Sequence, residues 1–167
     1  MSKDEFFPAG YETPVDVSSF MKMKDEGEYT IRILSSAVVG YEYFTTENKP
    51  KRSKTPFTEP LLDIKIDEKT GKETTPKHFW VFLVYNYALK AVQSLEITQK
   101  TLMNQIKAYV DNPKWGNPTG YDLKITKVGQ KLLTKYTVQA EPHTPITPEI
   151  AEMAKNSDID LEMIFEE

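Results

Sequence analysis

Residues 76–87, PKHFWVFLVYNY, give any strand they form two apolar faces. Successive side chains of a strand point to opposite sides. Phe79, Val81, Leu83, Tyr85 and Tyr87 therefore share one face, and Trp80, Phe82, Val84 and Asn86 share the other. A hydrophobic core accounts for one of them. The second needs a helix, another sheet or a ligand with flat apolar surfaces, and five of the last nine residues of the segment are aromatic.

With 167 residues, 39% of them hydrophobic, the chain has material for one domain with a real core. No run approaches the roughly 18 apolar residues of a membrane span. The first ten residues, MSKDEFFPAG, lack the charged-then-apolar layout of a signal peptide, so a cytoplasmic protein without a membrane partner is expected. Cys is absent, and His78 and His143 are too few for a His-based cluster, so neither a metal nor a cofactor is expected. GxxxxGK[ST], GxSxG and HExxH are all missing. Asp63, Asp67 and Asp122 fall in alternating segments with no base beside them. A non-enzymatic role is therefore expected.

The net charge of −4 conceals a segregation. Residues 1–28 hold seven acidic and three basic side chains, and residues 141–167 hold eight and one. The body between them carries a net +7. Acidic ends attract a basic body, and an acidic tail can occupy a site meant for a polyanion.

Residues 1–28, with Pro8, Gly10, Pro14 and Gly27, read as a flexible acidic arm that docks through Phe6, Phe7 and Phe20. Strands are expected over 29–34, with Tyr29, Ile31 and Ile33 inward and Arg32 outward, and over 37–44, where Gly40 suggests a bulge or bend. Residues 45–60 hold three prolines and read as a mobile basic loop. Further strands are expected over 61–67, 77–87 and 91–97. A helix over about 98–111 follows, capped by Thr98, with Leu102, Ile106, Tyr109 and Val110 on its buried side. A hairpin around Gly129 closes the body at 141. Pro142, Pro145 and Pro148 open a proline-rich exit over 142–167 that leads into the acidic tail, and His143 falls outside the fold.

This order fits a mainly β domain, a five- to six-stranded Greek-key barrel closed by one helix, which is the layout of an OB-fold. Most aromatics of such a barrel are core. The candidates for stacking on bases are those near the basic loop or at strand ends: Tyr41, Tyr43, Phe44, Phe57, Trp80 and Trp115. Tyr43 and Phe44 cannot both point inward. Whichever points out neighbours Lys49, Lys51, Arg52 and Lys54, and with Lys77 these supply phosphate contacts. A barrel whose aromatic face is instead an oligomer interface, in a scaffold or protein-interaction role, is the alternative.

The succession IRILSSAVVGYEYF, KPKRSK, KHFWVFLVYNY, LEITQKTLMNQI, WGNPTGYDLKIT and the acidic end SDIDLEMIFEE resembles the single-stranded DNA-binding proteins of tailed bacteriophages. The resemblance runs over nearly the whole chain and keeps the order of elements. It implies an OB-fold that coats single-stranded DNA during phage replication or recombination in the cytoplasm of the infected bacterial host. It also implies an acidic tail that recruits a polymerase, helicase or recombinase, and it allows a homodimer. Lys49, Lys51, Arg52, Lys54, Tyr43, Phe44 and Trp80 then take the DNA-groove role. Asp158, Asp160, Glu162, Ile164, Phe165, Glu166 and Glu167 take the docking role, with Ile164 and Phe165 expected as anchors in a partner's pocket. The zinc-holding T-even type is excluded by the absence of Cys.

Overall fold

The computed structural model describes residues 6–11, 18–58 and 60–166. Glu167 and part of the acidic arm lie outside the described residues. Seven strands form one antiparallel sheet: β1 (Gly27–Ile33), β2 (Val38–Phe44), β3 (Pro50–Ser53), β4 (Lys77–Asn86), β5 (Ala91–Ile97), β6 (Asp122–Val128) and β7 (Lys135–Ala140). Helix α1 (Lys100–Asp111) sits between β5 and β6, and α2 (Pro148–Lys155) follows β7. The fold is mainly β, as expected. The second helix was not foreseen: Thr147 caps it by accepting from the Ile150 N–H, and Pro148 stands where a helix tolerates proline. Among the described residues no helix is long and apolar enough to cross a membrane.

β4 organises the sheet. β5 pairs along one edge, and β1 and β2 run end to end along the other. Between Ile33↔Val84 and Val38↔Val81, residues Leu34, Ser35, Ser36 and Ala37 stand opposite only Phe82 and Leu83. The bend thus lies at the serines and not at Gly40; Ser35 Oγ accepts from the Leu83 N–H at 2.9 Å and holds the bulge in register. β6 takes the far edge of β1, and β3 the far edge of β2.

The sheet is open, where a closed barrel was expected. Both edges that closure would join are already used. The edge of β7 is met by α1: Gln105 Nε2 donates to the Tyr136 carbonyl (2.7 Å) and its Oε1 accepts from the Val138 N–H (2.8 Å). The edge of β5 is met by the chain before β1, where Met21 N–H donates to the Ser94 carbonyl and Ser94 N–H to the Ser19 carbonyl, both at 2.8 Å. That segment docks through buried Met21, whereas Phe6, Phe7 and Phe20 are exposed.

The core lies on the Phe82 and Val84 side of β4, with Ile31, Ile33, Leu95, Ile97, Leu123 and Ile125 from neighbouring strands under Leu102, Met103 and Ile106 of α1. Val110 is exposed, and Gln99, not Thr98, is the N-cap, with no side-chain cap bond. Two further expectations change. Residues 50–53 pair as β3 despite their proline, which sits at the strand's first position on an edge. Residues 61–67 make only the isolated bridges Thr45↔Ile64 and Ile66↔Glu73, because Asp63 turns through φ 54°.

Arg32 is the largest correction. Its period-2 position does face away from Ile31 and Ile33, yet it is only 2% exposed. Its Nε donates to the Thr119 carbonyl (2.9 Å), its Nη1 to Asp122 Oδ1 (3.1 Å), and its Nη2 to the Thr144 carbonyl. The Tyr87 hydroxyl donates to the same Asp122 oxygen at 2.7 Å. Burial, then the hydrogen bond to Asp122, push the Tyr87 pKa from 10.0 up to about 12. The folded state holds this proton more tightly than the unfolded one, so the stability it brings is complete below pH 10 and is lost as pH rises towards about 12. Urea midpoints should fall across that window, and Tyr87→Phe should flatten the fall; an unchanged alkaline slope would contradict this.

Candidate nucleic-acid interface

Cross-strand pairing places Phe79, Gly40, Val81, Glu42, Lys77, Arg52 and Glu96 together on the face of the sheet opposite the core. This is the second apolar face of β4, and the C-terminal segment covers part of it. A turn over Leu161–Phe165 brings the Phe165 ring to 5.9 Å from that of Phe79, at 37°. Glycine at position 40 is what admits both rings: a Cβ there would lie 2.7 Å from Phe79 Cζ and 2.9 Å from Phe165 Cε1. Lys54 closes over this end, with Nζ 2.9 Å from Glu162 Oε2 and 5.4 Å from the Phe165 ring centre. Phe165 was expected to serve an external partner; here it seats on its own sheet, because Phe79 offers an apolar floor. Ile164 is half-buried, and Asp158, Asp160, Glu162 and Glu166 are exposed.

Beyond the tail, a groove of about 900 Å³ runs across the sheet. Phe44 and Val81 of the sheet, Met21 and Met23 of the segment before β1, and Ile159, Leu161, Met163 and Ile164 of the tail belong to its apolar lining; Lys22, Lys24 and Lys77 are among its cations, and Glu42, Glu96, Asp158 and Asp160 are its acids. Lys22 and Lys24 lie in the presumed arm and were missed, since only the docking of Met21 carries them here. Phe79 was missed because its strand position suits core equally well.

The expected residues divide sharply. Of the pair that cannot both point inward, Phe44 is the outward one, 41% exposed, and Tyr43 is 8% exposed. The Tyr43 hydroxyl donates to the Leu62 carbonyl, and its ring meets Phe57 edge-on at 5.0 Å. Tyr41 tilts against His78 on the Tyr43 side. Arg52 reaches the groove but is paired, its Nε 3.0 Å from buried Glu42 and its Nη2 3.7 Å from Glu96. Lys51 pairs with Tyr43 in register and so lies on the opposite face from Arg52. Lys49 is solvated beside Glu47. Trp80 packs against the core.

Trp115 is remote from the groove. It stands between Tyr109 and Tyr121 and stacks on His143 at 19°, while His143 Nε2 lies 2.7 Å from the Trp115 carbonyl oxygen. His143 is thereby bound to the fold, contrary to expectation, and with Arg32 it fixes where the C-terminal segment leaves the sheet. Among the described residues no group of three or more metal-ligating side chains comes together.

The face therefore combines an aromatic floor, cations at both ends and an acidic, aromatic segment of the same chain lying on it. Such a surface can bind an extended ligand that alternates flat apolar groups with negative charges. Comparison with protein-family models, with curated proteins and with solved structures finds no match to the chain.

Proposed function

We propose that the chain is a non-enzymatic, largely sequence-independent single-stranded DNA-binding protein of the OB type, and that its tail and DNA compete for one face of the sheet. The observation that carries this reading is the tail itself. Its Phe165 ring lies on Phe79 where a base would stack, and its Glu162 carboxylate meets Lys54 where a phosphate would. The OB reading is supported by the bent β1–β2 strand that pairs with both β4 and β6, followed by β5, one helix and a final hairpin. On this reading Phe44, Phe79, Lys22, Lys24, Lys54 and Lys77 hold DNA, while Tyr43 and Trp115 hold the fold. The resemblance to phage proteins makes phage replication or recombination in the host cytoplasm the setting. The displaced tail then recruits a polymerase, helicase or recombinase, and a homodimer fits the same scheme.

The test is oligo-dT affinity against salt, followed by anisotropy. Tryptophan quenching suits it less, since neither indole faces the groove. About three to five phosphate contacts predict a log–log slope of roughly −2 to −3.5, because single strands lose about 0.7 per neutralised phosphate. Lys54→Ala with Lys77→Ala should weaken all sequences alike and flatten the slope. Absence of binding to any single strand at low salt would overturn the reading and favour an interface between copies of the chain.

A further inference from the structure

The turn between β6 and β7 carries the two most exposed large apolar side chains among the described residues, Leu132 at 92% and Leu133 at 79%. Lys131 and Lys135 flank the pair and are exposed too. The turn is braced: Gly129 and Lys131 adopt positive φ, 87° and 54°, and the Gly129 N–H donates to Glu26 Oε1 at 2.6 Å. Apolar side chains held out into solvent in this way mark a contact surface.

A surface of complementary kind lies on the β5 side of the sheet, across β4, β1 and β6 from the β7 edge. Val92 of β5, Met153 of α2 and Ile159 of the tail line a cleft of about 560 Å³, large enough for two leucine side chains. Its charged residues are Glu149, Glu152 and Asp158, and no lysine or arginine lines it. Among the described residues none of these three carboxylates has a basic partner. An apolar pair between cations thus stands on one side of the molecule, and an apolar floor among anions on the other.

We propose that the leucine turn of one copy seats in the acidic cleft of a second copy. Different residues meet on the two sides, so the contact is heterologous and adds copies in line. Leucines that displace water from Val92, Met153 and Ile159 supply the affinity, and lysines facing carboxylates set the orientation and speed the encounter. The inference goes beyond the reading of the groove and does not depend on it. Asp158 and Ile159 are a wall that the cleft shares with the groove, so the contact belongs to the protein with its tail seated.

The experiment is sedimentation velocity of the full chain over a range of concentrations, at low salt and without DNA. Wild type should grow beyond a dimer as concentration rises, and added salt should disperse it. Leu132→Ser with Leu133→Ser should move association to concentrations at least about tenfold higher, as loss of a central apolar anchor does. Lys131→Glu with Lys135→Glu should abolish association, and so should Glu149→Lys with Glu152→Lys. An equal mixture of these two charge-reversed variants should associate again, because each tip then meets a cleft of opposite sign. All six substituted residues are exposed, and circular dichroism checks that each variant keeps the fold. Wild type that stays monomeric up to millimolar concentration overturns the contact and leaves both surfaces to other proteins. Association that the reversals do not weaken, or that mixing does not restore, overturns it as well, and growth that stops at a dimer overturns the in-line arrangement. The groove reading stands or fails separately, on oligo-dT affinity.

Discussion

Deleting residues 156–167 is expected to tighten oligo-dT binding by about tenfold or more. A segment tethered beside its site competes at an effective concentration in the millimolar range. The Phe165 ring on Phe79 contributes about 0.5–1.5 kcal/mol beyond the area it buries. The exposed Lys54–Glu162 pair adds at most about 1 kcal/mol. Under the proposed competition every part of that stabilisation opposes DNA, since the strand would have to displace the tail before reaching Phe79 and Lys54. Phe165→Ala alone should give a smaller gain of the same sign. The cut falls after α2, which ends at Lys155, so the helix that buries Ile150 is retained. Weaker binding by the truncated chain would mean that the tail belongs to the DNA site or supports the fold.

Arg32→Met should cost about 3–5 kcal/mol of stability in urea unfolding, the usual cost of removing one partner of a buried ion pair. The loss leaves Asp122 without its cation and two carbonyls, of Thr119 and Thr144, without their donor. Arg32→Lys should recover little, because one ammonium cannot reach the three acceptors that the guanidinium fork meets. Arg32→Met combined with Asp122→Leu should recover part of the loss, since no unpaired charge then remains buried. A change below about 1 kcal/mol in Arg32→Met would show the cluster to be effectively solvated. Because Thr144 precedes α2 and the tail, the variant should also loosen the tail and raise DNA affinity at a given degree of folding.

The sequence reading was strongest where one period ran long. The alternation in residues 77–86 sorted the two faces of β4 correctly, and the hairpin around Gly129 formed as expected. Arg32 shows where alternation stops being informative. It identified the face but not its covering, which comes from Thr119 and Thr144, 87 and 112 residues away in sequence. The basic loop misled for a related reason. Once residues 50–53 pair as a strand, Lys51 and Arg52 must part to opposite faces, and one of them meets the buried carboxylate of Glu42. Tyr43 and Phe44 obey the same rule with the opposite benefit, leaving Phe44 in the groove. The joint role of Gly40, Phe79 and Phe165 was beyond local patterning, because it depends on the tail returning across the sheet.

That return gives the most direct test. A fluorophenylalanine at position 165 reports the ring's surroundings by fluorine NMR, and oligo-dT can be titrated into the labelled full-length chain. Competition predicts a resonance displaced from the random-coil position in the free protein, moving to that position in step with DNA saturation. DNA that binds to saturation while the Phe165 resonance stays where it began would contradict a shared face for tail and DNA.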